Sequence, residues 1–184
     1  MKRIFIAIKI VPGETFTRIH SAFRSGLSGE RITWVDPSNI HITLAFLGDT
    51  PEEKLPVISA ALKEQCSTFG SFTFGIAGAG VFRNLKDPRV IWAGVKNPER
   101  LIELGNKIQS ALRNKGFSID DKPFRPHITL GRIKHLTDHA KLENIVKNYT
   151  DFQIQVVDVK EVILYESILK QTGPVYSGLE HFPL

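Results

Sequence analysis

The sequence predicts a two-lobed molecule of mixed strands and helices, its halves related by a pseudo-twofold axis. Three observations predict it. The tetrapeptide His-Ile-Thr-Leu occurs twice in 184 residues, at His41–Leu44 and at His127–Leu130, 86 positions apart. Each copy lies in an apolar run rich in β-formers, Ile40 to Leu47 and Ile128 to Ile133, and such runs read as strands. Around each copy the same order recurs: a strand and a helix before it, then the motif strand, a helix and a phenylalanine-led strand, spanning His41–Gly80 and His127–Val157. Two such halves, residues 1–184 together, are expected to form one bilobal domain with an internal duplication.

In order along the chain, Ile4, Ile6, Ile8 and Ile10 alternate with Phe5, Ala7, Lys9 and Val11. Both faces are mostly apolar, which suits a central strand, and Pro12-Gly13 ends it. Phe16, Ile19, Phe23 and Leu27 recur at near-helical spacing up to the glycines 26 and 29. His20 is expected to be partly exposed beside that stripe. Ile32 to Val35 is a short strand before the turn Asp36-Pro37-Ser38-Asn39. Thr50-Pro51-Glu52-Glu53 reads as a capping box with proline at the first helical position, followed by a stripe of Leu55, Ile58, Leu62 and Cys66 in which Pro56 delays or kinks the start. Phe72–Gly80 is a strand, Val81–Arg89 a basic loop and Val90–Val95 the next strand. Asn97-Pro98-Glu99 opens a helix that Lys115-Gly116 closes. Phe117–Ile119 is expected as a short strand, Thr137–Tyr149 as a helix, and Phe152–Val157, Glu161–Ser167 and a segment from Gly173 through Tyr176 as extended chain.

Composition narrows the function. With 42% hydrophobic and 23% charged residues the chain is an ordinary soluble protein, and no apolar run approaches the ~20 residues of a membrane span. Lys9 cuts short the apolar run at the start and no small-residue cleavage site follows, so that stretch reads as strand rather than signal peptide. The single cysteine, Cys66, excludes an internal disulfide and cysteine-rich zinc sites. It sits on a helix stripe, where a thiol is inert, and the cytoplasm is the expected compartment. A net charge of +5 and a pI near 9.4 lean towards a polyanionic partner.

In a strand, His41 and Thr43 share one face, as do His127 and Thr129, while Ile42, Leu44, Ile128 and Leu130 face a core. A lone His-x-Thr reads as a satisfied strand histidine; two identical copies on equivalent strands across a shared cleft would set two imidazoles face to face. With an unperturbed pKa of about 6.5, one can serve as base and the other as acid in a single step. Hydroxyls beside them can hold the oxygens of a phosphate ester, which needs a base for the nucleophile, an acid for the leaving oxygen and donors for the non-bridging oxygens. A metal site is the rival, but neither motif carries a further histidine or carboxylate at ligand spacing. Arg132 becomes a phosphate ligand if a bulge at Gly131 turns it into the cleft; without the bulge it is a solvated arginine at a strand end. Phe46, at the equivalent place in the first half, is either a base-stacking ring or a core residue. Arg83, Lys86, Arg89 and Arg125 are candidates for a basic rim contacting a polyanion; singly, each also reads as a solvated charge. His135, His139 and His181 lack a partner motif and read as surface or structural residues.

The paired His-x-Thr-x motifs resemble those of the 2H phosphoesterase superfamily, and the whole chain resembles its branch of RNA 2′,3′-cyclic phosphodiesterases, also called 2′-5′ RNA ligases. The supporting stretches are Arg3-Ile4-Phe5-Ile6-Ala7, His41 to Gly48, Pro88 to Trp92, Phe124 to Arg132 and the ending Ser167-Ile168-Leu169, Gly173, Tyr176 and Phe182-Pro183-Leu184. The resemblance implies an α+β fold of two pseudo-symmetric lobes, each an antiparallel sheet with flanking helices, around a central cleft. It also implies His41 as proton donor, His127 as proton acceptor, Thr43 and Thr129 as phosphate ligands, and no metal or nucleotide cofactor. Only the resemblance separates acid from base, because the two motifs are identical. RNA with 2′,3′-cyclic phosphate ends is the expected substrate, 2′-phosphomonoesters the product, and a monomer without membrane attachment the expected state. Alternatives are reversible 2′-5′ RNA ligation, another cyclic-phosphate nucleotide, and a non-catalytic RNA-end binding module.

Overall fold

The computed structural model describes residues 1–171 and 173–184. Its strands are β1 (Lys2–Lys9), β2 (Arg31–Trp34), β3 (His41–Thr50), β4 (Phe72–Phe82), β5 (Val90–Lys96), β6 (Ile128–His135), β7 (Gln153–Val159), β8 (Glu161–Lys170) and β9 (Gly173–Pro183). Its helices are α1 (Glu14–Gly26), α2 (Leu55–Cys66), α3 (Glu99–Asn114) and α4 (His139–Asn148). Two antiparallel sheets result, ordered β3-β1-β8-β9 and β2-β6-β5-β4-β7. The expected α+β fold of two lobes is the observed one, and the apolar run at the start is, as its two greasy faces required, an interior strand.

The lobes are not the two sequence halves. Each half sends its first helix to the other half's sheet: α1 packs on β7 and α4, whereas α3 packs on β3 and α2. The crossover after β1 is clamped by Gln155 of β7, which accepts from the Gly13 backbone N–H at 2.8 Å and donates to the Val11 carbonyl at 3.1 Å. β2 pairs with β6, and β4 lies between β5 and β7. One continuous set of buried side chains, including Ile6, Phe23, Leu62, Phe74, Leu104 and Leu164, therefore spans both lobes. Such an interlocked core resists separation, since each fully buried large side chain contributes about 1.5–3 kcal/mol.

Several local expectations are corrected. Thr50 ends β3, and its hydroxyl donates to the Gly48 carbonyl at 3.1 Å instead of capping a helix. Residues 52–54 form a 3₁₀ turn, and α2 starts at Leu55 with Pro56 in its first turn, where a missing N–H costs nothing. Phe117–Ile119 is not a strand; Phe117 and Ile119 pack against the core from a loop. Glu30 accepts both the Thr137 N–H, at 2.7 Å, and its hydroxyl, at 2.8 Å. The fourth helix consequently begins two residues later, capped by the Asp138 carboxylate, which accepts from the Lys141 N–H. The last extended segment runs on to Pro183 because it pairs with β8 throughout.

Candidate active site

A cavity of about 580 Å³ lies between the sheets. One wall is His41, Thr43 and Phe46 on β3; the other is Thr129 and Arg132 on β6, with His127 just before that strand. The duplicated motifs thus meet across one cleft, as the alternation of strand side chains predicts.

A bulge in each motif strand sets the direction of the side chains beyond the tetrapeptide. On β3, Ala45 pairs with Ile6 and Thr43 with Ala7, so Leu44 has no partner on β1. On β6, Gly131 pairs with Ile91 and Thr129 with Trp92, leaving Leu130 without a partner on β5. The inserted residue is the fourth of each tetrapeptide, one position before the glycine that the sequence singled out. Strand alternation shifts by one there. Ile128, Leu130, Gly131 and Ile133 are all buried, and Thr129 and Arg132 share the cleft face. On β3 the same shift puts Phe46 beside His41 and Thr43. Its ring is 47% exposed, so it is not a core residue. Gly131 is required by close approach: a Cβ there would lie 2.8 Å from Trp34 and 2.9 Å from Ile32.

The carbonyl of each bulged leucine is held by the helix that crossed over. Gln109 Nε2 of α3 donates to the Leu44 carbonyl at 2.7 Å. His20 Nε2 of α1 lies 3.3 Å from the Leu130 carbonyl, which requires the proton on that nitrogen. His20 is 3% exposed and edge-on to Trp34, against the expectation of a partly exposed residue. Burial pulls its pKa down, with the bond to Leu130 opposing. Between the lowered folded value and about 6.5 the unfolded state binds more protons, so this contribution to stability is complete above that range and lost as pH falls through it. Gln109→Ala is expected to cost roughly 1–3 kcal/mol, the penalty for a buried carbonyl that loses its side-chain donor, and His20→Ala less, because the Leu130 carbonyl also accepts from the Val35 N–H at 2.9 Å. Urea denaturation at pH 7.5 checks this, and unchanged midpoints would show that the bulges need no donor.

The two imidazoles are pinned alike. His41 Nδ1 lies 2.6 Å from the Asn39 carbonyl and His127 Nδ1 2.8 Å from the Arg125 carbonyl. A carbonyl only accepts, so each Nδ1 carries the proton in the neutral ring and Nε2 keeps its lone pair. His41 is boxed by Tyr176, edge-on at 5.2 Å, and by Phe5, tilted at 5.2 Å, and His127 edge-on by Phe82 at 4.6 Å. Burial lowers both pKa values, the carbonyl bonds oppose it, and the Arg132 charge adds to the lowering. One guanidinium acts on both rings because it lines the same cavity as they do.

Arg3, Asn39 and Tyr176 also line the cavity and were not singled out from the sequence as site residues. Arg3 stands 5.1 Å above the Phe46 ring. Burial raises the Tyr176 phenol, the charges of Arg132 and Arg3 opposing, so it remains a hydroxyl donor near neutrality. Asn39 ties the motif to β9 by donating to the Pro174 carbonyl at 3.2 Å. The one available signal was alternation in Arg3-Ile4-Phe5-Ile6, which puts Arg3 and Phe5 on one face. Arg83, Lys86 and Arg89 do not line this cavity. Arg83 and Arg89 both pair with Asp87, and Lys86 and Arg89 border a separate depression with Lys134 and His139. Arg125 borders an adjoining groove. Cys66 is buried, and burial pushes its thiol up to about 11, as expected of an inert cysteine. His135, His139 and His181 are exposed on the surface. No helix among the described residues is long and apolar enough to cross a membrane.

Two antiparallel lobes thus meet at one cavity lined by a pair of alike-pinned histidines, two threonines and an arginine. The family model described as LigT like Phosphoesterase matches residues 8–92 and again 94–176, once for each sequence half, and the chain belongs to that family. It is 37% identical over 180 residues to an RNA 2′,3′-cyclic phosphodiesterase of Thermotoga maritima, covering 96% of this chain and 92% of that one. It is 39% identical over 158 residues to one of Archaeoglobus fulgidus, covering 86% of each. Among solved structures it is similar to a Thermus thermophilus protein (TM-score 0.79, 28% identity, 99% of this chain and 97% of that one). It is also similar to E. coli LigT complexed with 3′-AMP (TM-score 0.76, 28% identity, 100% and 98%).

Proposed function

We propose that residues 1–184 form a single bilobal catalytic domain that hydrolyses RNA 2′,3′-cyclic phosphodiester ends to 2′-phosphomonoesters. The observation that carries it is the pair of histidines, each with Nδ1 on a carbonyl and Nε2 left for chemistry, on one cavity with Arg132. Relatives along nearly the whole chain are named for this activity. His127 takes the proton of the attacking water, His41 gives one to the departing ribose oxygen, and in-line displacement keeps the two on opposite sides of phosphorus. Thr43, Thr129 and Arg132 hold the non-bridging oxygens, and the exposed Phe46 ring offers a base a stacking face. The acid and base roles follow the family resemblance. A fixed substrate gives one regioisomer; with O3′ facing His41, the phosphate stays on O2′. The lone buried thiol suits the cytoplasm, and a cleft complete within one chain suits a monomer.

Incubating the protein with a short oligonucleotide ending in a 2′,3′-cyclic phosphate, in excess EDTA, tests the reading. Turnover to a 2′-phosphate with a free 3′-hydroxyl is expected, followed by phosphorus NMR. Among the described residues no three His, Cys, Asp or Glu side chains cluster to hold a metal. Activity lost in EDTA and restored by a divalent ion would overturn the mechanism, and a 3′-phosphate product would reverse the substrate between the histidines.

The lowered histidines give a pH prediction. In the free protein both rings are neutral at pH 7, which readies the base but leaves the acid without its proton. A bound phosphodiester anion favours the imidazolium and raises its pKa. The alkaline limb of kcat/KM, which reports the free protein, is therefore expected below about 6.5, and that of kcat at higher pH. Coincident limbs would mean that the bound phosphate does not protonate the acid.

A further inference from the structure

A second groove, of about 480 Å³, opens from the same site. It shares Thr43, Phe46 and His127 with the main cavity, but His41 does not line it. Its far wall is the segment 119–125, which α3 holds in place. Arg113 donates to the Asp120 carbonyl at 2.9 Å, and the Phe124 ring fills a notch at Gly105, where a Cβ would lie 2.6 Å from it. Lys122 and Arg125 stand on this wall, both exposed. Asp120 accepts from the Lys122 ammonium at 3.1 Å and from its backbone N–H, leaving two of the three ammonium protons free.

In-line displacement assigns the two openings different tenants. The ribose that keeps the leaving oxygen lies on the His41 side, in the main cavity. The nucleophile arrives on the His127 side, where the second groove begins. Water occupies about 30 Å³, less than a tenth of this groove, and needs no cations along its path. We propose that the groove is the acceptor subsite, holding the 5′-hydroxyl end of a second RNA whose first phosphates meet Lys122 and Arg125. The inference rests on the phosphodiesterase reading above. The step balances without ATP. The acceptor 5′-oxygen bonds to phosphorus and gives its proton to His127. The bond from phosphorus to O3′ breaks, and O3′ takes a proton from His41. One ester bond replaces another, leaving a 2′-5′ linkage; water in the same place gives the 2′-phosphate.

Lys122→Glu in the full chain separates the two readings. Three reactions are followed: hydrolysis of a nucleoside 2′,3′-cyclic phosphate, its joining to a 5′-hydroxyl RNA pentanucleotide, and its joining to a free nucleoside, which carries no phosphate. In the variant, hydrolysis is expected to stay within about twofold of wild type and nucleoside joining to be unchanged. The pentanucleotide KM is expected to rise about tenfold or more. Lys122→Ala should lower the slope of that KM against salt on logarithmic axes by about 0.7, one phosphate contact to a single strand. Hydrolysis without joining in the wild type, an unchanged pentanucleotide KM, or equal loss with both acceptors would overturn the acceptor subsite and leave the phosphodiesterase standing. Absence of wild-type hydrolysis would instead bring down the phosphodiesterase reading, and this inference with it.

Discussion

Replacing His41 or His127 by alanine is expected to lower turnover by roughly 10²–10⁴-fold each, the usual contribution of a positioned general acid or base. The fold should remain. Both residues are only half-buried on the cleft face, and their one hydrogen bond each goes to a carbonyl two residues earlier in the same segment, so no distant element depends on them. The double variant should lose less than the product of the single losses, because acid and base act in one step and effects within such a unit are not additive. Circular dichroism and urea midpoints establish folding, and initial rates on a nucleoside 2′,3′-cyclic phosphate read the loss. A folded single variant turning over near the wild-type rate would remove that histidine from the mechanism.

Arg132→Ala is expected to cost about 10²–10³-fold in kcat, the scale for removing one donor that stabilises developing charge. Arg132→Lys should recover little, since a guanidinium can donate two parallel bonds to a phosphoryl group and an ammonium cannot. The variant carries a second readout. The Arg132 charge holds down the pKa of both histidines, so its removal should raise both in the free protein and move the kcat/KM profile to higher pH. Arg83→Ala is the comparison: its guanidinium pairs with Asp87 away from the cavity, and it should stay within about twofold of wild type. Equal effects of Arg132→Ala and Arg83→Ala, or an unmoved pH profile, would defeat a role for Arg132 in the cavity that the two histidines share.

The candidate site was legible in the sequence where local periodicity governs it. His41 with Thr43, and His127 with Thr129, share faces because strand side chains alternate every two residues, whatever the strand pairs with. Arg132 was legible only through Gly131, whose missing side chain marked a bulge; the structure inserts Leu130 and uses Gly131 to admit Trp34 and Ile32. The same insertion at Leu44 carries no glycine signal, so the sequence alone does not separate stacking from packing for Phe46. Arg83, Lys86 and Arg89 show the opposite limit. Their charges suited a rim, but Arg83 takes φ 69° and Arg89 turns to Asp87, and the sequence carries no signal of which side of the sheet a loop leaves.

The sequence by itself determined the duplication, the elements and the two reacting faces, because alternation and helical stripes are written in neighbours a few residues apart. Only the tertiary structure decided that α1 and α3 trade lobes, that His20 and Gln109 hold the bulged carbonyls, and that Arg3 and Tyr176 reach the cleft from β1 and β9. Those are outcomes of which strand edge and which helix stripe bury each other's apolar surface. Burial is non-directional and acts between any two greasy faces, so only the assembled core selects the pairing.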